Sequence, residues 1–258
     1  MGLVNPVVAS FAVVRSVPSS YENCVRTNTE RIDVALAKIQ HREYCSALQR
    51  LGHKLIWVKT DDSLPDSCFV EDTAIIVGDK AVICNMSVKS RTSEVIEVAR
   101  VLEKLRHVCY IRPPATIDGG DVMIAEDRVF IGLTGRTNLD AVNQVKRILK
   151  DTNLQVIPVK VRNVLHLKSA CTYIGNDHVI LAKGSFDINV LSGLIRIMVP
   201  EGEEYAADCL AVNGTILMAK GYPETKRLVQ SEGFRVEELE MSEFRKGEGA
   251  MTCLSIIL

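Results

Sequence analysis

The sequence predicts an α/β fold, a closed five-bladed propeller of ββαβ units, and three observations carry that prediction. Four segments repeat one pattern of apolar strand, tight polar turn and second apolar strand: TAIIVGDKAVIC (73–84), VMIAEDRVFIG (122–132), TYIGNDHVILA (172–182) and LAVNGTILMA (210–219). Three of these hairpins are followed by a stretch of helical periodicity and then a short apolar strand. The last apolar segment has no partner nearby in sequence, and the N-terminal strand is its natural mate. Repeats of this length point to units that cannot cover their own apolar faces and stack around an axis.

The elements follow in order. Apolar residues around 7–14 read as a first strand, a helix over 30–51 follows, and KLIWV at 54–58 is the next strand. The hairpin turns Gly78-Asp79-Lys80, Glu126-Asp127-Arg128, Asn176-Asp177-His178 and Asn213-Gly214-Thr215 are turn-forming combinations, Asn-Gly the strongest of them. The helical stretches cover 93–105, 138–150 and 223–232, and each leads into a strand: VCYIR, LQVIPV and FRVEEL. After the third hairpin, 185–196 leaves room for only a turn of helix. Pairing of a final strand over 253–258 with the first would close the ring and remove exposed edges. The ring is thus one domain over 1–258; an ordinary mixed α/β sheet with hairpin edges is the alternative arrangement of the same elements.

Bulk composition narrows the function. A hydrophobic fraction of 47 % and a charged fraction of 24 % are ordinary for a soluble globular chain. A net charge of −1 without a basic tract argues against nucleic acid or an anionic membrane as partner. No apolar run reaches the roughly 20 residues of a membrane span. The opening MGLVNPVVASFAVVRS has no basic leader and reads as a strand, not a secretion signal. The 8 cysteines form no C-x-x-C and stand near no histidine at zinc-finger spacing. They read as reduced thiols of a cytoplasmic protein that needs no cofactor and offers no obvious metal site.

The repeat puts residues of equal phase together near the axis. Asp72 precedes the first hairpin, Asp118 and Asp121 (TIDGGDVM) the second, His166 and Lys168 (VLHLKSACTY) the third, and Cys253 opens the last strand. Arg91 (KSRTSEV) and Arg136 (TGRTNLD) share another phase, between a hairpin and its helix, where a planar guanidinium fork can meet a carboxylate. Acids at one end, arginines at the other, and a thiol with an imidazole between them suit a small molecule with a cationic planar group and a distant carboxylate. Arginine and its N-methylated relatives have that shape.

The motifs PDSCFVED, SRTSE, TIDGGDVM, GLTGRTN, LHLKSACTYIG and MSEFRKGEGAMTCLS, in that order from Leu64 to Ser255, resemble those of the dimethylarginine dimethylaminohydrolases. These belong to the guanidino-group modifying superfamily with the fivefold α/β propeller, or pentein, fold, and the resemblance covers essentially the whole chain. It implies Cys253 as nucleophile, His166 as general acid and base, and Asp118 as the acid that orients the histidine and contacts the guanidine. It implies substrate contacts from Asp66, Glu71, Asp72 and Phe69, with Arg91 and Arg136 as the carboxylate clamp. Residues 16–26 correspond to a lid whose backbone carbonyl, at Val25, takes the α-amino group, and Gly247 lies where relatives make another main-chain contact. Arginine deiminases of the superfamily carry an acid two residues after the catalytic histidine; here that position is Lys168, which favours an Nω-methylated guanidinium.

The resemblance implies a covalent route: thiolate attack on the guanidinium carbon, release of an alkylamine, and hydrolysis of a thiouronium to citrulline. An arginine deiminase-like hydrolase, an amidinotransferase using the same Cys and His, and a non-catalytic binding propeller are the competing expectations. The expected assembly is a monomer or homodimer.

Overall fold

The computed structural model describes residues 10–258, so positions 7–9 of the expected first strand lie outside the described residues. The chain forms β1 (Ser10–Arg15), α1 (Val34–Arg50) and β2 (His53–Val58), then β3 (Ala74–Val77), β4 (Lys80–Ile83), α2 (Glu94–Leu102) and β5 (His107–Tyr110). The next unit is β6 (Val122–Ala125), β7 (Arg128–Leu133), α3 (Leu139–Ile148) and β8 (Gln155–Lys160). It is followed by β9 (Cys171–Gly175), β10 (His178–Leu181) and β11 (Ile195–Met198), with a 3-10 turn at Ile188–Leu191 in place of a helix. The last elements are β12 (Leu210–Val212), β13 (Thr215–Ala219), α4 (Pro223–Ser231), β14 (Arg235–Leu239), α5 (Ser242–Lys246) and β15 (Ile256–Ile257).

These strands make five three-stranded sheets of one design. In four of them the first strand runs antiparallel to the second and the second parallel to the third, as in β3-β4-β5. The fifth sheet keeps the pattern but draws on distant parts of the chain: β15 is antiparallel to β1, Val13 facing Ile256, and β1 is parallel to β2. The expected ring is therefore closed by main-chain pairing.

Local chemistry explains the boundaries. Asp33 accepts a hydrogen bond from the Leu36 N–H and caps α1, which starts at Val34 and not at 30. Ala37, His41, Tyr44 and Leu48 then bury one face at helical spacing. Asn138 caps α3 through the Ala141 N–H, whereas Ser93 makes no such bond ahead of α2. Asn176 and Asp177 (φ 51° and 61°), like Asn213 and Gly214 (φ 45° and 78°), take the left-handed conformation that tight hairpins require.

The final strand corrects the sequence reading. It is confined to Ile256–Ile257, and Cys253 lies in a 3-10 turn, Thr252–Leu254, ahead of it. Similar turns, Val70–Thr73 and Gly119–Asp121, precede β3 and β6. The first strands of all five sheets face a shared axial cavity of about 230 Å³, lined by Ile75, Met123, Thr172, Leu210 and Ile256 among others and bounded at one end by Glu71, Lys168 and Thr252.

The Gly-Gly of TIDGGD is demanded by this packing. A Cβ at Gly119 would stand 2.0 Å from the Glu71 carbonyl oxygen, and one at Gly120 2.7 Å from His166 Nδ1. Gly119→Ala should destabilise the fold by about 3 kcal/mol or more in urea titration, since backbone and not a yielding side chain blocks it. Gly135→Ala, with nothing within 4 Å of its added Cβ, should change stability by less than about 0.5 kcal/mol.

Candidate active site

Each functional side chain enters from the segment just before the first strand of a blade. Asp72 precedes β3, Asp118 β6, His166 β9 and Cys253 β15. The fifth blade follows the same rule: Asp208 stands just ahead of β12 and is 3 % exposed. Sequence reasoning left that phase of the fourth hairpin empty, although DCLAVNG carries the acid in the expected place.

Asp72 is the junction of the cluster. Its Oδ2 accepts from Arg91 Nη1 at 2.9 Å, and its Oδ1 accepts the Gly120 N–H at 3.1 Å, with His166 Nδ1 at 3.9 Å. On its other ring nitrogen His166 Nε2 donates to Asp118 Oδ2 at 3.1 Å, and Arg136 Nη1 lies 3.5 Å from the same oxygen. Asp118 Oδ1 is buried and has no hydrogen-bond partner among the described residues. Asp121 serves the scaffold: it accepts from the Leu167 N–H at 3.0 Å and from the hydroxyls of Thr134 and Thr137, fixing the loop that carries His166.

Burial and charge set the protonation states. Burial works against a charged imidazole, but Asp72 and Asp118 beside it hold His166 up at about 9, so it is an imidazolium at neutral pH. Burial likewise works against an ionised Asp72, yet His166 and Arg91 hold it at about 2. The Cys253 thiol is pushed well above the usual thiol range, by burial first and then by Asp208, Glu71 and Asp72. The resting site therefore pairs a neutral thiol with a charged histidine.

Val25, Asp66, Phe69, Asp72, Arg91, Arg136, His166, Gly247 and Cys253, all singled out from sequence, line one pocket, whose free volume is only about 10 Å³. Leu165, Glu248 and Gly249 line it as well. Asp118 does not line it but meets His166 Nε2 at 3.1 Å, and Glu71 lies elsewhere altogether. Its carboxylate meets Lys168 Nζ at 2.5 Å and the Thr252 hydroxyl at 2.7 Å, on the wall of the axial cavity. Glu71 and Asp72 are successive residues of the 3-10 turn Val70–Thr73, where side chains project about 120° apart, so the two carboxylates face different cavities. Arg91 lines the pocket but is already paired. Its fork is engaged by Asp72 and, at 2.9 Å, by Glu94, which is buried and pushed up to about 7 by that burial despite the arginine. Spacing of three residues in SRTSE was the available signal for Glu94.

The segment expected to form a lid, and the two residues that follow it, are fastened by carboxylates. Asp62 accepts the Ser19 N–H at 2.6 Å, Asp66 the Val25 N–H at 3.0 Å, and Glu248 the N–H groups of Thr27 at 2.8 Å and Asn28 at 3.2 Å. Within it Tyr21 packs against Phe69 and Phe244, with ring centroids 5.8 and 5.6 Å apart. Glu248 was missed in GEG because its partners lie more than 200 residues away.

Asp72, Asp118 and His166 each place one ligand atom within 4.8 Å of the others, a spacing that could hold a metal ion. The protonation state disfavours it: a ligating imidazole must be neutral, and the acids are already matched by His166 and Arg91. A planar organic cation fits this donor set better.

Comparison with known proteins gives a consistent picture. The arginine deiminase family model matches residues 19–209. The N(G),N(G)-dimethylarginine dimethylaminohydrolase of Pseudomonas aeruginosa is 33 % identical over 233 residues, 87 % of this chain and 89 % of that protein. Its counterpart in Streptomyces coelicolor is 34 % identical over 231 residues, 89 % of this chain and 88 % of that one. The crystal structure of the Pseudomonas aeruginosa enzyme, a cysteine-to-serine mutant complexed with citrulline, superposes with a TM-score of 0.91 at 29 % identity, covering 96 % of this chain and 98 % of that one.

The charge pattern predicts a pH dependence. His166 holds its proton more tightly when folded (about 9) than at its ordinary 6.5, so its stabilisation is complete below about 6.5 and lost as pH rises through about 9. The stability difference between wild type and His166→Gln, from urea titrations, should be constant below 6.5 and shrink towards 9; a difference independent of pH would contradict the assignment.

Proposed function

The chain belongs to the arginine deiminase family, among its dimethylarginine dimethylaminohydrolases, and from that premise we propose that it hydrolyses the guanidino C–N bond of Nω-methylated arginine, releasing citrulline and an alkylamine. The observation that carries this reading is the convergence of Cys253, His166, Asp72 and Arg136 on one closed pocket. Because the site draws on the segments before four of the five first strands, those of β3, β6, β9 and β15, we take the ring as one catalytic unit. Eight free cysteines suit a reducing compartment such as the cytoplasm.

The mechanism follows from the protonation states. The resting thiol is neutral because burial opposes its ionisation, and the carboxylates of Glu71 and Asp72 add to that. A bound guanidinium adds positive charge to the pocket, the thiol proton leaves to solvent, and the thiolate attacks the central carbon. His166, already protonated, gives its proton to the departing alkylamine and leaves a thiouronium on Cys253. The now neutral imidazole takes a proton from water, hydroxide adds to the thiouronium carbon, and collapse expels the thiolate with citrulline. Asp72 and the free Oδ1 of Asp118 accept guanidinium N–H groups and hold the charge through these steps.

Arg91 is held by Asp72 and Glu94, so Arg136 is the freer of the two arginines to meet the substrate carboxylate. Asp66 and Val25 together hold the lid over the α-amino end. Glu71 enters only indirectly: its pairing with Lys168 removes a carboxylate from reach of the guanidinium, and fewer acceptors favour nitrogens that carry methyl groups.

Side-by-side assays of arginine, monomethylarginine and asymmetric dimethylarginine, with citrulline and amine measured, should show the methylated substrates preferred and Cys253→Ser inactive with an unchanged melting temperature. Equal or faster turnover of arginine would replace the reading with an arginine deiminase. Arg136→Ala should raise KM by roughly 10- to 100-fold with kcat little changed, as for loss of a charge-assisted bond made equally in ground and transition states.

A further inference from the structure

Behind the nucleophile, on the side away from the pocket, the buried side chains of Glu71, Asp208 and Thr252 gather with the half-buried Lys168. Glu71 Oε1 meets Lys168 Nζ at 2.5 Å, and Glu71 Oε2 accepts from the Thr252 hydroxyl at 2.7 Å. The Thr252 N–H donates to Asp208 Oδ1 at 3.0 Å, while the Thr252 hydroxyl oxygen also lies 3.4 Å from Asp208 Oδ2. A hydroxyl has one hydrogen and two lone pairs. Two carboxylates converge on this one, and its hydrogen satisfies only the nearer, Glu71. Were Asp208 ionised, its Oδ2 would face a lone pair, and the buried cluster would hold two anions against one lysine.

We infer that Asp208 rests as a neutral carboxylic acid whose O–H closes on the Thr252 hydroxyl, and that its charge state governs how readily the neighbouring Cys253 becomes a thiolate. Asp208 is thus a positioning residue for the nucleophile, supplied by the one blade to which no role has been given. This deepens the hydrolase reading and rests on Cys253 as its nucleophile. Burial and the charge of Glu71 push Asp208 up to about 7, in keeping with a stored proton. Among the charges around Cys253, Asp208 opposes ionisation most, ahead of Glu71 and Asp72. The groups facing Asp208 are Glu71 and Lys168 across the cluster, Thr252 and Cys253 on the final turn, and Tyr205 and Cys209 on its own strand approach. Arg245 and Glu248 border the small cavity on its other side.

Neutral Asp208 leaves the thiol responsive to an arriving cation. Ionised Asp208 adds a negative charge beside Thr252, the residue preceding Cys253, and the thiolate becomes harder to form. Alkylation of the resting protein by iodoacetamide reads this without substrate, with the modified residue located by peptide mass. The logarithm of the wild-type rate at Cys253 should rise with pH, flatten near 7 as Asp208 ionises, and rise again. Asp208→Asn, which keeps both hydrogen bonds to Thr252 without the charge, should remove the shoulder and speed alkylation several-fold at pH 8. Asp208→Leu should share that gain. A gain confined to Asp208→Leu would mark loosened packing and overturn the proposal, as would identical profiles for wild type and Asp208→Asn. If the variants fail to fold, a wild-type profile of unbroken slope is enough to reject it. Either failure leaves the hydrolase assignment standing, because citrulline production is a separate measurement.

Discussion

The carboxylate of Asp72 joins three blades through two oxygens. Arg91 from its own blade, the Gly120 N–H from the next and the His166 ring from the one after all meet it. A fully buried anion is tolerated only where cations and N–H donors surround it. That requirement places Arg91 beside Glu94, forces glycine at 120 so the backbone can approach, and lifts the proton affinity of His166. The fold and the electrostatics of the site are therefore constrained by one group: what satisfies Asp72 in the resting chain also helps keep the imidazole protonated.

The same electrostatics explain why the thiol is kept neutral. Cys253 sits between the acids of the pocket and the acids behind it, and burial removes the water that would screen them. Under the proposed mechanism, a sulfur ionised chiefly when a cation arrives reacts only slowly with adventitious electrophiles. Lys168 matters here through Glu71: the pair adds little net charge to the rear wall, so the balance there is left to Asp208.

Most of the architecture could be read from the sequence because hairpin turns and helical periodicity are local signals. Asn176-Asp177 and Asn213-Gly214 announce their turns by residue type, and the backbone takes the conformation those residues favour. The phase argument found Asp72, Asp118, His166 and Cys253 because each blade repeats its entry into the first strand. It stopped short where meaning depends on distant partners. Glu71 looked like a substrate ligand beside Asp72, but its direction was decided by Lys168, 97 residues on, and by Thr252. The role of Glu248 likewise rests on Thr27 and Asn28, and the occupation of the Arg91 fork on Asp72 and Glu94 together. The strand expected over 253–258 shortened to Ile256–Ile257 because the cysteine belongs to the same kind of entry turn as its counterparts in other blades.

The way the lid is fastened has an evolutionary corollary. Asp62, Asp66 and Glu248 grip it chiefly by main-chain amides of Ser19, Val25, Thr27 and Asn28. Every residue except proline supplies such an amide. Most surface positions of this segment can therefore drift without loosening the cover, while the three acids that receive it cannot. Divergence in how the cover treats different ligands is thus available cheaply, by exchanging side chains on an unchanged backbone path.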